Sequence, residues 1–289
     1  MVGADSTVGL WRWHHGRLEK SEESLQPDAR ILAADSWLVT AGRVRALELH
    51  RERFAAACAV QFADDASHDH GRPLPEKRLA PAELRSFWAA ILKVIPPDGN
   101  WFPKVEWRQQ PGTKSTFGEF VFSLRTAPAR SRSVVVRSHR GSDPRTLPRV
   151  KGPDLVALGH ARAEAQVYGA DEAIILAPEG FVVEGAYSAL VWWQGNELCV
   201  PAAQLARIDS ITNKTLVTLA QALGVSVQEE LARPADLVGR EVWALSALHG
   251  IRIVTSWVDG PALAEQPGRL ATWRASLDRL AHPIAALTP

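Results

Sequence analysis

The sequence is poor in cysteine, the residue that cross-links a chain. Its 289 residues include two cysteines, Cys58 and Cys199, far apart and without ligand spacing. No disulfide framework is expected, and the expected setting is a reducing one, the cytoplasm. No stretch approaches 18 apolar residues, and the start, MVGADSTVGLWRWHHG, lacks an apolar core of signal-peptide length. Neither a spanning helix nor a membrane partner is therefore expected. Charge of neither sign is in excess: 33 Lys and Arg face 32 Asp and Glu, a formal net charge of +1. That balance offers no bulk attraction to nucleic acid or anionic lipid, and the basic residues form no aromatic-interleaved patch. His14-His15 and His68-Asp69-His70 have no metal-ligand pattern. Glycine-rich phosphate loops and the GxSxG turn are missing too. One Met and two Tyr stand beside eleven Trp, so tryptophan is the main aromatic filler.

What is present is an ordinary globular balance, 46% apolar and 22% charged, in a chain long enough for two cores. Residues 8–18 alternate apolar and polar around a His-Gly turn signal. Residues 31–49 read as a second hairpin around Thr40-Ala41-Gly42. From His50 the period changes, and Phe54, Ala57, Cys58 and Phe62 form a helical stripe. Residues 63–80, with Gly71, Pro73 and Pro75, read as a loop. Pro81 opens a helix striped by Leu84, Phe87, Trp88 and Ile91, and Pro96-Pro97 ends it. Residues 103–110 and 119–126 are strands joined by the PGTKSTFG loop. The expected first domain, 1–126, is thus a small α+β unit. Residues 127–133, APARSRS, are the expected linker, and 134–289 the larger domain.

The larger domain alternates types. A strand at 133–139 leads through the turn-rich GSDPRTLPR to Lys151, and a helix runs from about Asp154 to Tyr168. Strands follow at 172–176, 181–186, 189–193 and 197–201. Ser210-Ile211-Thr212 opens a helix that Gly224 stops. A strand at 225–231, a helical turn at 234–239 and strands EVWALSA and IRIVTSWV, broken at Leu248-His249-Gly250, precede a last helix from about Pro267 to Leu280. The fold class is mixed, α+β with α/β alternation.

A few residues carry chemistry. Lys151, between Val150 and Gly152-Pro153, is either a solvated surface lysine or an amine reactive toward carbonyls; the second requires desolvation or a nearby cation. Glu184 lies in an apolar strand, where alternation puts it on the face of Val182. It is either an edge carboxylate facing water or the partner of a buried cation, such as a protonated pyridine nitrogen. Ser210 is an ordinary N-cap, yet open N–H groups at a helix start, with the Thr212 hydroxyl, also suit a phosphate. Arg53, in HRERF, is either an anion partner or a polar-face residue.

In their order these pieces resemble the class IV aminotransferases, the fold-type IV pyridoxal-phosphate enzymes that include branched-chain and D-amino-acid aminotransferases and aminodeoxychorismate lyase. The resemblance runs from about Trp13 to Asp259, through LELHRERF (47–54), the Lys151 segment, YGADEAIILAPEGFVVEGAYSAL (168–190), SITNKTLVTLAQALGVSVQE (210–229) and EVWALSALHGIRIV (241–254). It implies a two-domain, D-amino-acid-aminotransferase-like architecture whose larger domain binds pyridoxal 5'-phosphate. It makes Lys151 the Schiff-base lysine and catalytic proton shuttle, and Glu184 the partner of the pyridine nitrogen. Arg53 becomes the phosphate-binding arginine of the first domain, Ile211 and Thr212 the phosphate cradle, and Ser246-Ala247 the loop beside the phosphate and the substrate carboxylate.

Ser36, Leu155, Ala189 and Leu248 fall on the substrate side, and there the sequence departs from the family. Asp35-Ser36 stands for Glu-Thr, Leu155 for the common Tyr, Ala189 for the Asn, and Asn213 for the Arg of Gly-Ile-Thr-Arg. The implied activity is amino-group transfer to a 2-oxo acid by a homodimer acting on small amino and keto substrates. Ser246-Ala247-Leu248 is similar to the Asn-Ala-Leu of aminodeoxychorismate lyase, which releases pyruvate to give p-aminobenzoate. The substrate-side departures add a second alternative, a catalytically silent relative acting as a binding protein.

Overall fold

The computed structural model describes residues 8–26, 28–68, 81–109 and 118–287. The chain divides into two compact units: 1–128 with 150–153 and 281–289, and 129–149 with 154–280. Two short segments beyond the expected linker, Val150–Pro153 and Ala281–Pro289, thus group with the first unit.

In the first unit, β1 (Gly9–His14) and β2 (Arg17–Ser21) turn over His15 and Gly16, both at positive φ (46° and 79°). That geometry matches the twist of a two-residue hairpin. The stretch 31–49 is more than one hairpin. β3 (Arg30–Ser36) stops before Trp37, which is wholly buried. A separate tight hairpin, β4 (Val39–Thr40) and β5 (Arg43–Arg45), turns over Ala41 and Gly42. α1 (Leu47–His68) begins three residues before His50 and runs through 63–68, expected as loop. The segment AAACAVQFADDA is rich in helix formers and meets no breaker before Gly71, so nothing stops it earlier.

α2 (Pro81–Val94), β6 (Asn100–Trp101), β7 (Lys104–Gln109) and β8 (Glu119–Leu124) follow. The main sheet is antiparallel in the order β2-β1-β8-β7-β3, which leaves one edge of β3 open to the rest of the chain. Phe54 of α1 and Phe87 and Trp88 of α2 pack with Trp37 and Phe120 into an aromatic core. The Phe62 side chain, the His68-Asp69-His70 side chains, residues 69–80 (expected as loop) and most of PGTKSTFG lie outside the described residues.

In the second unit, β9 (Ser133–Ser138), α3 (Leu155–Val167), β10 (Glu172–Leu176), β11 (Val182–Gly185), β12 (Ala189–Gln194) and β13 (Glu197–Pro201) come first. α4 (Ile211–Ala222), β14 (Val227–Glu230), a 3-10 turn at Pro234–Leu237, β15 (Glu241–Ser246), β16 (Gly250–Val258) and α5 (Arg269–Arg279) complete it. Eight strands form one mixed sheet in the order β11-β10-β9-β16-β15-β12-β13-β14. Its inner strands, such as β12 and β15, read as apolar runs because both faces are covered, whereas the edge strand β14 (VQEE) does not. Leu190 and Trp192 pack with Val136, Val242 and Ala232 on one side. Val191 and Trp193, their alternates, pack with Leu216 of α4 and Leu270, Trp273 and Leu277 of α5. After α5 the chain returns to the first unit as β17 (Ala281–Pro283), a strand with no clear sequence signal, which pairs with β5.

The second core shows what several of the tryptophans are for. Trp193, Trp243 and Trp273 meet with ring centroids 5.2, 5.3 and 6.1 Å apart. Truncating the fully buried Trp243 to alanine should lower unfolding free energy by about 3–5 kcal/mol, read from the denaturant midpoint. A loss below about 1 kcal/mol would contradict this packing.

Candidate active site

In the first unit, Lys151 is seated by its backbone. The Ala34 N–H donates to the Lys151 carbonyl (2.8 Å), so the lysine segment continues the hydrogen bonding of β3 along its open edge. The approach is close enough to demand glycine next door. Gly152 has φ 138°, and a Cβ there would lie 2.8 Å from backbone atoms of Ala33 and Ala34. The Lys-Gly-Pro sequence is therefore a docking device, and it leaves the Lys151 side chain half-buried.

Immediately along β3, Asp35 is buried and accepts a fork from Arg53: Nε to Oδ2 and Nη2 to Oδ1, both 2.8 Å. His50 Nδ1 lies 2.7 Å from the same Oδ1. The Ser36 N–H also reaches Asp35 Oδ1, at 2.7 Å. Burial would raise the Asp35 carboxyl, but Arg53 and His50 outweigh it and hold it far below the carboxylate range. Burial pushes His50 down, against the upward pull of Asp35. His50 and Arg53 share a helix face because they are three residues apart. Sequence reading named Arg53 but missed His50 and the Asp35 fork; the HxxR spacing, with an acid in an apolar strand, is the signal that could have found this cluster.

In the second unit, Glu184 does not share a face with Val182, as simple alternation expected. A bulge between Ile175 and Leu176 breaks the β10–β11 register, so Glu184 stands opposite Ile175 while Val182 packs beside Ile174 in the other cluster. Its carboxylate is buried and doubly held. Oε1 accepts from Nη1 of Arg145, and Oε2 accepts from the Ile208 N–H at 3.2 Å. Arg145 is in turn forked by Asp143, Nε to Oδ1 at 2.9 Å and Nη2 to Oδ2 at 2.6 Å. Sequence reasoning took 141–149 only as turns and missed Asp143, Arg145 and the Ile208 amide.

Ile208 lies three residues before α4. There Ser210 Oγ caps the Asn213 N–H (3.3 Å), and the first helical bond runs from Lys214 N–H to Ser210 O (2.9 Å). The N–H groups of Ile211 and Thr212 precede that ladder, as the first amides of any helix do. Thr212 is buried in the first turn of α4, and the Thr215 hydroxyl one turn on donates to the Ile211 carbonyl at 2.8 Å. Ala189 begins β12 and pairs with Leu245. The next residue, Ser246, caps the Ser246–Gly250 turn by accepting the His249 N–H at 3.2 Å. Ala247 and Leu248 are half-buried in that turn, and Leu155 is the first residue of α3. Asp154 precedes it and binds the Thr146 N–H and hydroxyl and the Leu147 N–H at 2.8–2.9 Å, fixing the loop that carries Arg145.

Two outcomes test these geometries. Gly152→Ala should unfold at lower denaturant by about 1–3 kcal/mol. Gly169→Ala, at φ 79° with nothing within 4 Å of a Cβ, should cost less; equal losses would show that backbone strain alone matters. On acidification, the buried His50 and the half-buried His249 stay neutral longer than in the unfolded chain, since desolvation pushes both down and His249 to about 4. The unfolded chain takes the protons first, so stability is full above about pH 6.5 and falls below it. The Tm should drop between pH 7 and 4.5, less steeply in His249→Gln; parallel curves would refute the His249 share.

The amino-transferase class IV family matches residues 32–257. A search of curated proteins finds no match. Similar solved structures include a fold IV transaminase from Curtobacterium pusillum (16% identical, TM-score 0.74, covering 94% of this chain and 97% of that one). A branched-chain aminotransferase with norvaline, from the thermophilic archaeon Thermoproteus uzoniensis, is 18% identical with TM-score 0.74 and coverage of 96% and 99%. A PLP-bound hypothetical aminotransferase from Mycobacterium tuberculosis is 17% identical, with TM-score 0.72 and coverage of 94% and 98%. These identities speak for the fold. The family match spans most of the chain and every candidate residue from Ser36 to Leu248, and the chain belongs to the class IV aminotransferases.

Proposed function

We propose that the chain is a pyridoxal 5'-phosphate-dependent aminotransferase that moves an amino group from an amino acid to a 2-oxo acid. One observation within the second unit carries the reading. A buried carboxylate, Glu184, is hydrogen-bonded to the loop that opens α4, whose first amides stand outside the helical ladder and whose first turn carries Thr212. An acceptor for a protonated nitrogen and a set of donors for an anion thus share one stretch of structure, and the cofactor carries both groups. These residues fit it.

When bound, pyridoxal phosphate supplies an electron sink that weakens the Cα–H bond of an amino substrate. Lys151 would anchor the cofactor, and its Nζ would serve as the base that moves the Cα proton. Glu184 would accept the ring N–H. Ile211, Thr212 and the Ser246-Ala247 turn would hold the phosphate, with Arg53, oriented by its Asp35 fork, as a further anion contact. Ser36, Leu155, Ala189 and Leu248 shape the substrate side. No helix among the described residues is long and apolar enough to cross a membrane; the same reading takes the working form as a cytoplasmic homodimer.

The Ser246-Ala247-Leu248 turn favours a second activity, release of pyruvate from aminodeoxychorismate. Purified protein given the cofactor should gain a near-visible band, and borohydride should fix the cofactor's mass on the peptide holding Lys151. Lys151→Ala should lose both and at least about 10²–10⁴-fold of the rate. A colourless protein with unmodified Lys151 would sink the proposal. Pyruvate with p-aminobenzoate, against keto acids from a panel of L- and D-amino acids, separates the two activities.

A further inference from the structure

Glu184 is held by more than its place in the sheet, and the group that holds it is an arginine the family reading leaves without a task. Arg145 and Glu184 are both enclosed, their side chains 2% and 5% exposed. Nη1 of Arg145 donates to Glu184 Oε1, and the Ile208 N–H takes Oε2 at 3.2 Å. On its other side Arg145 is gripped by Asp143, whose carboxylate is 28% exposed and whose Oδ1 also accepts the Arg145 backbone N–H at 3.0 Å. The result is a directed chain, Asp143 to Arg145 to Glu184, running from the more open end to the closed one.

We infer that Arg145 is a positioning residue for the cofactor: it keeps Glu184 an anion of fixed orientation, so that the proton shared with the ring nitrogen resides on the nitrogen. This rests on the function proposed above. The physical argument has two parts. A carboxyl shut away from water favours its neutral form unless charged donors meet it. A neutral acid presents an O–H, and an O–H pointed at a pyridine nitrogen leaves the ring uncharged and a poor electron sink. A guanidinium on Oε1 reverses that preference, because an ionised carboxylate is an acceptor only.

Orientation is the second part. A planar fork anchored by Asp143 fixes the guanidinium, and with the Ile208 amide it fixes the carboxylate plane. Burial lowers the basicity of Arg145, but the Asp143 bonds and the Glu184 charge outweigh it and hold the guanidinium more firmly protonated than usual. Arg207 adds positive charge facing Glu184, yet its Nη1 donates to the Ala202 and Leu205 carbonyls. Arg145 therefore makes the directed contact.

The test uses full-length protein loaded with cofactor labelled with ¹⁵N in the ring, in wild type, Arg145→Gln and Arg145→Lys. The ring nitrogen resonance reports its protonation directly, without reference to turnover. Wild type should show a protonated ring. Arg145→Gln should move the signal toward the neutral position and weaken cofactor binding roughly ten- to hundredfold. Arg145→Lys, which keeps the charge, should restore the protonated signal. With an analogue carrying C–H in place of the ring nitrogen, Arg145→Gln should bind as wild type does.

A protonated ring in Arg145→Gln, or an equal loss of affinity for the analogue, overturns the inference. Should Arg145→Gln fail to fold, Asp143→Asn carries the same test: the inference requires weaker binding of the ring-nitrogen cofactor with unchanged binding of the analogue. Failure of wild type to bind either cofactor refutes the functional reading instead.

Discussion

Burying a carboxylate costs several kcal/mol unless a cation or several donors meet it, and both units of this protein are arranged around meeting that demand. Asp35 binds β3 to α1 through Arg53 and His50. Glu184 gathers the loop bearing Arg145 and the approach to α4. Glu172, raised by burial, accepts from the Tyr187 N–H and Ser188 hydroxyl (both 3.2 Å) and faces Arg252 at 3.8 Å, which ties β10 to the turn before β12. Glu241 accepts from the Trp243 indole and the Gln266 N–H, each at 2.7 Å. In each case the polar contact joins segments that apolar packing alone would leave free to slide.

Two of these carboxylates sit at candidate site positions, and two do not. The difference lies in what surrounds them. Glu172 and Glu241 are met by groups of the strands, turns and loops around them, so their role ends with the fold. Asp35 stands beside the seat of Lys151, and Glu184 beside the open amides of α4. At both places the carboxylate is met by an arginine, which explains how a charge so costly to bury is accommodated among Leu32, Ala33 and Ala34 of β3 and Val182 and Val183 of β11.

How much of this was legible depended on range. The alternation of 181–186 and the Ser210 cap are local signals, and both marked their elements correctly. The helical stripe from His50 was right in kind but short at both ends, because Leu47 and residues 63–68 carry no strong boundary residue. The face of Glu184 was misread because one bulged pairing, invisible in a single strand, shifts the alternation. Arg145 was hidden for a related reason. Its partner is 39 positions away, and GSDPRTLPR has only turn signals. The cofactor was readable through the family resemblance, whereas the contacts that hold Glu184 are long-range and carry no local signal.

The interleaving of the two units has a further meaning. The chain passes between them at 128/129, 149/150, 153/154 and 280/281, and the two late visits to the first unit are edge pieces. Residues 150–153 lie along β3, and β17 pairs with β5. A contiguous piece ending near residue 128 would therefore carry uncovered strand edges, the surfaces that recruit other chains. Nascent chains meet the same state, since the first unit is synthesised long before its last strand. The protein thus builds two cores from one interleaved chain, and its lysine reaches its seat as part of a short segment laid along the edge of β3.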